Sequence, residues 1–272
     1  MIVEVSEEEM NSITHSILKR YGIDFTCYEP KSLRRRIIRL LNKLELTSIH
    51  ELWMHFLKTP HFINIFMNEI SVGMTSMFRD PILWKQLRIR LVSDFAEQNL
   101  VNIWHAGCST GEEVFSMGIL LDQTKISNRA RSVASDFNRD ALEEAKAGVY
   151  HKIKMIENEK NYRSYSGAVD FSKYYKATGT DASMDLGLVR QVTFEYRNLI
   201  TDEFERGFDI IFCRNVMIYF DAIAKVRMLE KFHNALKPKG LLIIGFFDTM
   251  SHLIDNQQFR LVDEQAKIFQ KL

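Results

Sequence analysis

The sequence predicts an α/β protein in two parts. A helical N-terminal domain spans residues 1–80, and a doubly wound, mostly parallel sheet spans 81–272, with a small β-subdomain inserted at 150–192. Three observations carry this expectation. Apolar residues repeat at helical spacing through the first hundred positions, then give way to short strand-like runs alternating with helical ones. The run "IWHAGCSTGEEVFSMGILL", residues 103–121, reads as strand, small-residue turn and helix. The alternation breaks over 150–190, where a polar and aromatic stretch lacks a clear helical period. A stretch that long is not left structureless in a compact domain, so it is expected to form antiparallel strands.

Each N-terminal helix has its own signal. Ser6 and Glu9 have capping-box spacing and open "MNSITHSILKRYG", with Gly22 as the stop. "KSLRRRIIRLLNKLEL" follows, with Leu33, Ile37, Leu40, Leu41 and Leu44 on one face. Ser48 starts a third helix, "LWMHFLK", stopped by Pro60. "FINIFMNEISV" is short and amphipathic. "PILWKQLRIRLVSDFAEQ" is longer, with Pro81 at the first turn, where a missing N–H costs nothing.

From Val101 the elements alternate. "VNIWHAG" is a strand that leads into the helix "EEVFSMGILLDQT". "RSVASDF" is a second strand, followed by the helix "RDALEEAKAGVY". "VTFEYRNL" and "FDIIFCRN" are two further strands. "AIAKVRMLEKFHNALKPKG" is a helix ended by Gly240, "LLIIGFF" a buried strand and "FRLVDEQAKIFQKL" a closing hairpin.

Composition bounds the function. With 46% hydrophobic and 26% charged residues, the chain reads as an ordinary soluble globular protein. A net charge of +1 gives no global pull toward nucleic acid or anionic membrane, so a basic partner site must be local. Cys27, Cys108 and Cys213 are far apart and odd in number, which suits a reducing compartment. The acidic start has no signal-peptide pattern and no apolar run is long enough to span a bilayer, so a cytoplasmic protein is expected.

The turn Gly107-Cys108-Ser109-Thr110-Gly111 fits two chemistries. Letter for letter it is the G-x-S-x-G elbow of serine hydrolases. That reading needs an acid and then a histidine downstream, yet His233 falls inside a helix and the turn follows the first strand of the sheet rather than several. The other reading is a cofactor cradle. Ligands of doubly wound sheets bind outside the carboxyl ends of strands, near the first strand–helix turn. Gly107 and Gly111 let backbone approach a ligand closely. The full G-x-G-x-x-G of a dinucleotide site is absent, and Asp136 ends the second strand as a carboxylate for ribose hydroxyls or, equally, as the cap of the next helix. Together these favour a nucleoside cofactor without pyrophosphate, S-adenosylmethionine being the usual one.

"MTSMFRD", "GCSTGEEVFSMGILL", "ASDFNRDALEEAKAGVY", "FDIIFCRNVMIYFD" and "LKPKGLLIIGF" stand in the order found in one family, and "CRNVMIYFD" is highly specific. Over nearly its whole length the chain resembles bacterial chemoreceptor glutamate O-methyltransferases of the CheR type. The resemblance implies a helical domain, a Rossmann-like methyltransferase domain with an inserted β-subdomain, and methyl transfer from S-adenosylmethionine to glutamates on cytoplasmic receptor helices. Carried over by position, Thr75 and Arg79 contact the cofactor from the interdomain linker, Gly107 lies in its cradle, and Glu113 and Asp136 hold its amino-acid and ribose parts. Asn198 and Leu199 border the adenine, Arg214 and Asn215 sit beside the sulfonium, and Tyr219 faces the transferred methyl, with Arg79 as the second catalytic residue. The chain departs from the family at Gly73, where Asn is frequent, at Val114, where Pro is usual, and at Phe246-Phe247-Asp248, where His-Ser-Glu is usual. The last departure leaves a different acceptor, or a non-catalytic module that binds the cofactor, as alternatives.

The chemistry asks for little beyond alignment. A glutamate carboxylate, with a pKa of about 4.3, is already ionised at neutral pH, so no general base is required. On the second helix Arg36, Arg39 and Lys43 share helical spacing and suggest a docking face for an acidic receptor helix, against the blander reading of a solvated face. No aromatic platform accompanies them, so nucleic acid is not expected. His50, His55 and His61 do not share a helical face, and no metal is expected. The protein is expected to act as a monomer without membrane insertion.

Overall fold

Helices alone precede the first strand among the residues that the computed structural model describes: 4–59, 61–70, 75–167, 170–248 and 251–272. The expected helix stop at Pro60 and the Gly73 position lie outside the described residues. The helices are α1 (Glu7–Tyr21), α2 (Pro30–Lys43), α3 (Ile49–Lys58), α4 (Phe62–Ile70) and α5 (Pro81–Ser93). Their ends follow capping chemistry. Ser6 Oγ accepts from the Glu9 N–H and the Glu9 carboxylate accepts from the Ser6 N–H, while Gly22 closes α1 at φ +69°. Ser48 caps α3. Pro81 opens α5, which ends at Ser93, short of the expected Gln98. Leu33, Ile37, Leu40 and Leu41 pack with Ile13, Ile17, Phe25, Phe56 and Phe66 into one cluster, against which Leu44 is half-buried just past the end of α2.

The remaining elements are β1 (Val101–Ala106), α6 (Glu112–Gln123), β2 (Ala130–Asp136), α7 (Arg139–Ala147), β3 (Val149–His151), α8 (Lys152–Ser166), β4 (Tyr175–Thr178), β5 (Asp181–Met184), β6 (Val192–Tyr196), β7 (Phe208–Cys213), α9 (Ala222–Ala235), β8 (Leu236–Ile244), β9 (Phe259–Asp263) and β10 (Ile268–Lys271). The main sheet runs β6-β2-β1-β7-β8-β10-β9. Its first five strands are parallel, and the expected hairpin β9–β10 adds antiparallel to β8. Both faces are covered. Along β7, Ile210 and Phe212 belong to one core cluster while Ile211 and Cys213 belong to the other. The chain leaves β1 toward β2 and later returns to its other side as β7. The order therefore reverses between β1 and β7, where a parallel sheet opens a crevice at its carboxyl edge.

Two expectations are corrected. The insertion holds the antiparallel sheet β3-β5-β4, but also α8, a helix of 15 residues. Its buried face is Met155, Asn158, Tyr162 and Tyr165, so three of its four residues are tyrosine or amide and the apolar period is hidden. The hydroxyls bond inward: Gln123 Nε2 donates to Tyr162 and Tyr174, and the Tyr165 hydroxyl donates to Gln123 Oε1. Phe78 stacks on Tyr165 at 4.8 Å. Asn158 Oδ1 accepts from the Met77 N–H at 2.8 Å, so α8 grips the linker that leads to Arg79. The second correction concerns α9, which ends at Ala235, not Gly240. Gly240 lies inside β8 at the register shift beside Phe208, where an added Cβ would meet the Lys237 carbonyl at 2.9 Å.

Candidate active site

A cavity of about 640 Å³ opens at the carboxyl edge of β1, β2 and β7. Its floor is the glycine turn. Gly107 has φ +82° and its missing Cβ would lie 2.5 Å from Val216 Cγ2, a stiff β-branched neighbour. Gly111, the first residue before α6, has φ +89° and would meet Ala145 Cβ at 2.8 Å. Gly107→Ala is therefore expected to cost about 1–3 kcal/mol of stability through overpacking. Urea denaturation measures it, and an unchanged midpoint would show that Val216 yields.

Asp136 closes one side of the turn. One carboxylate oxygen accepts from the Ser109 N–H at 2.8 Å and the other from the Asn138 N–H at 2.9 Å. The cap of α7 is Asn138, whose Oδ1 accepts from Asp140 and Ala141, so Asp136 is not the helix cap. A carboxylate offers about four acceptor sites, and the remaining ones are available for ribose hydroxyls. Burial raises the Asp136 pKa above the usual carboxylate range against these N–H bonds. Cofactor affinity should then weaken as pH falls through that raised pKa, because the neutral acid accepts poorly. Ligand-free stability runs the opposite way: a raised folded pKa stabilises at low pH, and this contribution is lost as pH rises through it. Asp136→Ala should cost about 1.5–3 kcal/mol of affinity for S-adenosylhomocysteine. Calorimetry from pH 7 downward tests both, with Asp136→Asn expected to flatten the profile.

The two glutamates of "GEE" divide their work. Glu112 is buried and accepts from Thr110 Oγ1 at 2.6 Å and Lys154 Nζ at 3.2 Å, with burial raising its pKa. Glu113 lines the cavity. Burial alone would raise its pKa, but the bond from His105 and the charge of Arg214 outweigh it and hold the carboxyl below its ordinary range. Since Glu113 is ionised, His105 Nδ1 must donate in their 2.9 Å bond. Arg214 donates to Glu113 at 3.0 Å, to Asp80 at 2.7 Å and to the Arg79 carbonyl at 3.1 Å. Asp80 thus pairs with Arg214 across the linker. Sequence reasoning missed His105 and the pairing of Asp80 with Arg214. A histidine within a strand buried on both faces carries no pattern that marks it.

The cavity brings together Thr75, Arg79, Gly107, Glu113, Asp136, Asn198, Leu199, Arg214, Asn215 and Tyr219, all anticipated residues. No histidine is among its described lining residues. The basic helix is placed differently from expectation. Arg36 is 5% exposed, donates to the Ile70 carbonyl and holds its guanidinium 4.2 Å over the Tyr219 ring. It therefore does not share an exposed face with Arg39 and Lys43, which are exposed; Lys43 pairs with Glu69. The helical domain also reaches the tyrosine turn through backbone. The Glu29 N–H donates to the Tyr219 carbonyl, Tyr28 bridges Phe220, and the Asp221 N–H donates to the Cys27 carbonyl.

The donor set has the chemistry a nucleoside sulfonium asks for: a glycine-floored cradle, the Asp136 carboxylate and a second, ionised carboxylate at Glu113. Comparison with known proteins points the same way. The family model described as "CheR methyltransferase, SAM binding domain" matches residues 73–268, and "CheR methyltransferase, all-alpha domain" matches residues 8–71. Cher3 of Pseudomonas putida, a provisionally named methyltransferase, is 33% identical over 97% of this chain and 96% of its own. The chemotaxis protein methyltransferase of Listeria innocua is 29% identical over 88% of this chain and 89% of its own. That of Escherichia coli is 30% identical over 92% of this chain and 87% of its own.

Proposed function

The chain belongs to the CheR methyltransferase family, and on that premise we propose that it esterifies glutamate side chains of chemoreceptors with the methyl group of S-adenosylmethionine. It is an S-adenosylmethionine-dependent methyltransferase. The observation that carries the acceptor reading is one continuous cavity that joins Asp136 and Glu113 to Tyr219.

Bound S-adenosylmethionine supplies a methyl group already activated on a sulfonium. The chain's residues supply placement. Asp136 receives the ribose hydroxyls, Glu113 the amino-acid ammonium, and Asn198 and Leu199 the adenine edge. Thr75 and Arg79 close over the amino-acid end from the linker. The Arg214 charge beside Asn215 is matched by Glu113 and Asp80, so it does not repel a sulfonium. Tyr219 and Arg79 orient the acceptor carboxylate, which is ionised at neutral pH, and exclusion of water leaves it reactive. Arg39, and Lys43 beside Glu69, meet the acidic side of the receptor helix. The reading places the enzyme as a monomer in the cytoplasm, where Cys27, Cys108 and Cys213, all free thiols, stay reduced.

Incubating the purified protein with tritiated cofactor and membranes of the source organism tests the proposal. Base-labile label on receptor-sized bands is expected. Tight cofactor binding with no labelled protein would overturn the acceptor assignment while leaving the methyltransferase fold untouched.

A further inference from the structure

β8 ends at Ile244, and the turn that follows carries Phe246, Phe247 and Asp248. The turn is anchored from beneath. Asp248 is buried, and one of its carboxylate oxygens accepts from the Gly245 N–H at 2.7 Å and from the Asn215 N–H at 2.8 Å. Above this anchor the two phenylalanines point outward. Phe246 is 58% and Phe247 61% exposed, and their rings meet edge to face at 5.5 Å. Phe247 also lines the cavity. Single exposed apolar side chains are ordinary, but an adjacent aromatic pair on a fixed turn at the rim of a reaction cavity has the makings of a binding hot spot.

The strand order says which reactant meets it. Across the sheet the cavity runs from Asp136 on β2, past Gly107 after β1, to Arg214 and Asn215 after β7, and then to Phe247 after β8. The ribose acid and the aromatic pair therefore lie at opposite ends, with the β7 turn that leads to Tyr219 between them. The cofactor occupies the β2–β1 end, which leaves the β8 end to the acceptor. Lys267 Nζ stands 6.0 Å from the Phe246 ring, a cation beside an apolar surface. We propose that Phe246 and Phe247 are specificity-determining residues that pack against apolar side chains flanking the methyl-accepting glutamate, with Lys267 facing its acidic neighbours. This rests on the glutamate-methyltransferase reading above and adds the acceptor's chemistry: an acidic segment with an apolar residue next to the target.

The test compares the parent, the double variant Phe246→Ser/Phe247→Ser and the double variant Phe246→Leu/Phe247→Leu in methyl transfer to source-organism membranes. S-adenosylhomocysteine affinity and thermal melting are measured alongside. The serine pair should raise the apparent KM for membrane acceptor at least tenfold and change cofactor affinity less than twofold, and the leucine pair should recover most of the loss. An unchanged KM overturns the proposal. A parallel loss of cofactor affinity overturns it too, because the rings would then serve the cofactor or the fold. A parent that sediments as a dimer, with the serine pair monomeric, assigns the rings to a second copy instead. A parent that labels no membrane protein fails earlier, at the acceptor reading, before any variant is compared.

Discussion

Arg214→Met is expected to lower stability by about 3 kcal/mol, near the lower end for breaking a buried ion pair, and to abolish measurable cofactor binding. Methionine fills similar space, so the loss is electrostatic. The Arg214 side chain is only 5% exposed and joins Glu113, Asp80 and the Arg79 carbonyl. Its removal strands Glu113, 15% exposed, with His105 as its remaining partner. Asp80 is 37% exposed and partly rescued by water, which argues for the lower figure. For a chain this size the melting temperature should fall by roughly 6–12 °C. The low pKa of Glu113 fixes the sign with pH. A depressed folded pKa stabilises above the unfolded value and is lost as pH falls through the folded one. The parent's advantage over the variant should therefore narrow on acidification below the ordinary carboxylate range. Scanning calorimetry at neutral and acid pH reads both, and equal melting temperatures at neutral pH would show the network to be screened.

Tyr219→Phe should leave folding and cofactor affinity nearly intact and slow methyl transfer by roughly ten- to a thousand-fold, the range for one oriented donor lost from a reacting site. The substitution is clean here because Arg36 can hold a phenylalanine ring as it holds the tyrosine ring, by its position over the face. What is removed is the hydroxyl alone. If that hydroxyl acts mainly in the transition state, kcat and kcat/KM fall together. Single-turnover transfer at saturating cofactor is the measurement, and a parental rate would take Tyr219 out of the mechanism.

Local chemistry was legible in the sequence wherever a residue acts on its own neighbours. The Ser6–Glu9 capping box, Pro81 at a helix start and the positive-φ glycines at 107 and 111 all depend on nearby backbone. So does the strand-end placement of Asp136. What escaped depends on distant partners. Spacing puts Arg36 with Arg39 and Lys43 by charge, yet it also puts Arg36 beside Leu33, Ile37 and Leu40 on the buried stripe, and burial wins. The burial of Arg36 is explained by Tyr219 and Ile70, which sequence spacing does not bring near. Likewise α8 hides because its apolar work is done by tyrosines whose hydroxyls need Gln123. Asp248 could be suspected only as the third residue of an unusual tripeptide, since its partners come from the ends of two strands.

The backbone seam between residues 27–29 and 219–221 has a consequence for heredity. A chimera that takes its helical half from one relative and its sheet half from another breaks no covalent logic, yet it places a foreign arginine environment over the tyrosine and a foreign edge against the chain that bears it. The two halves must change in step along that seam. The helical half is thus less an accessory than a co-owner of the turn that carries Tyr219 into the cavity, and lineages that exchange it should exchange that turn as well.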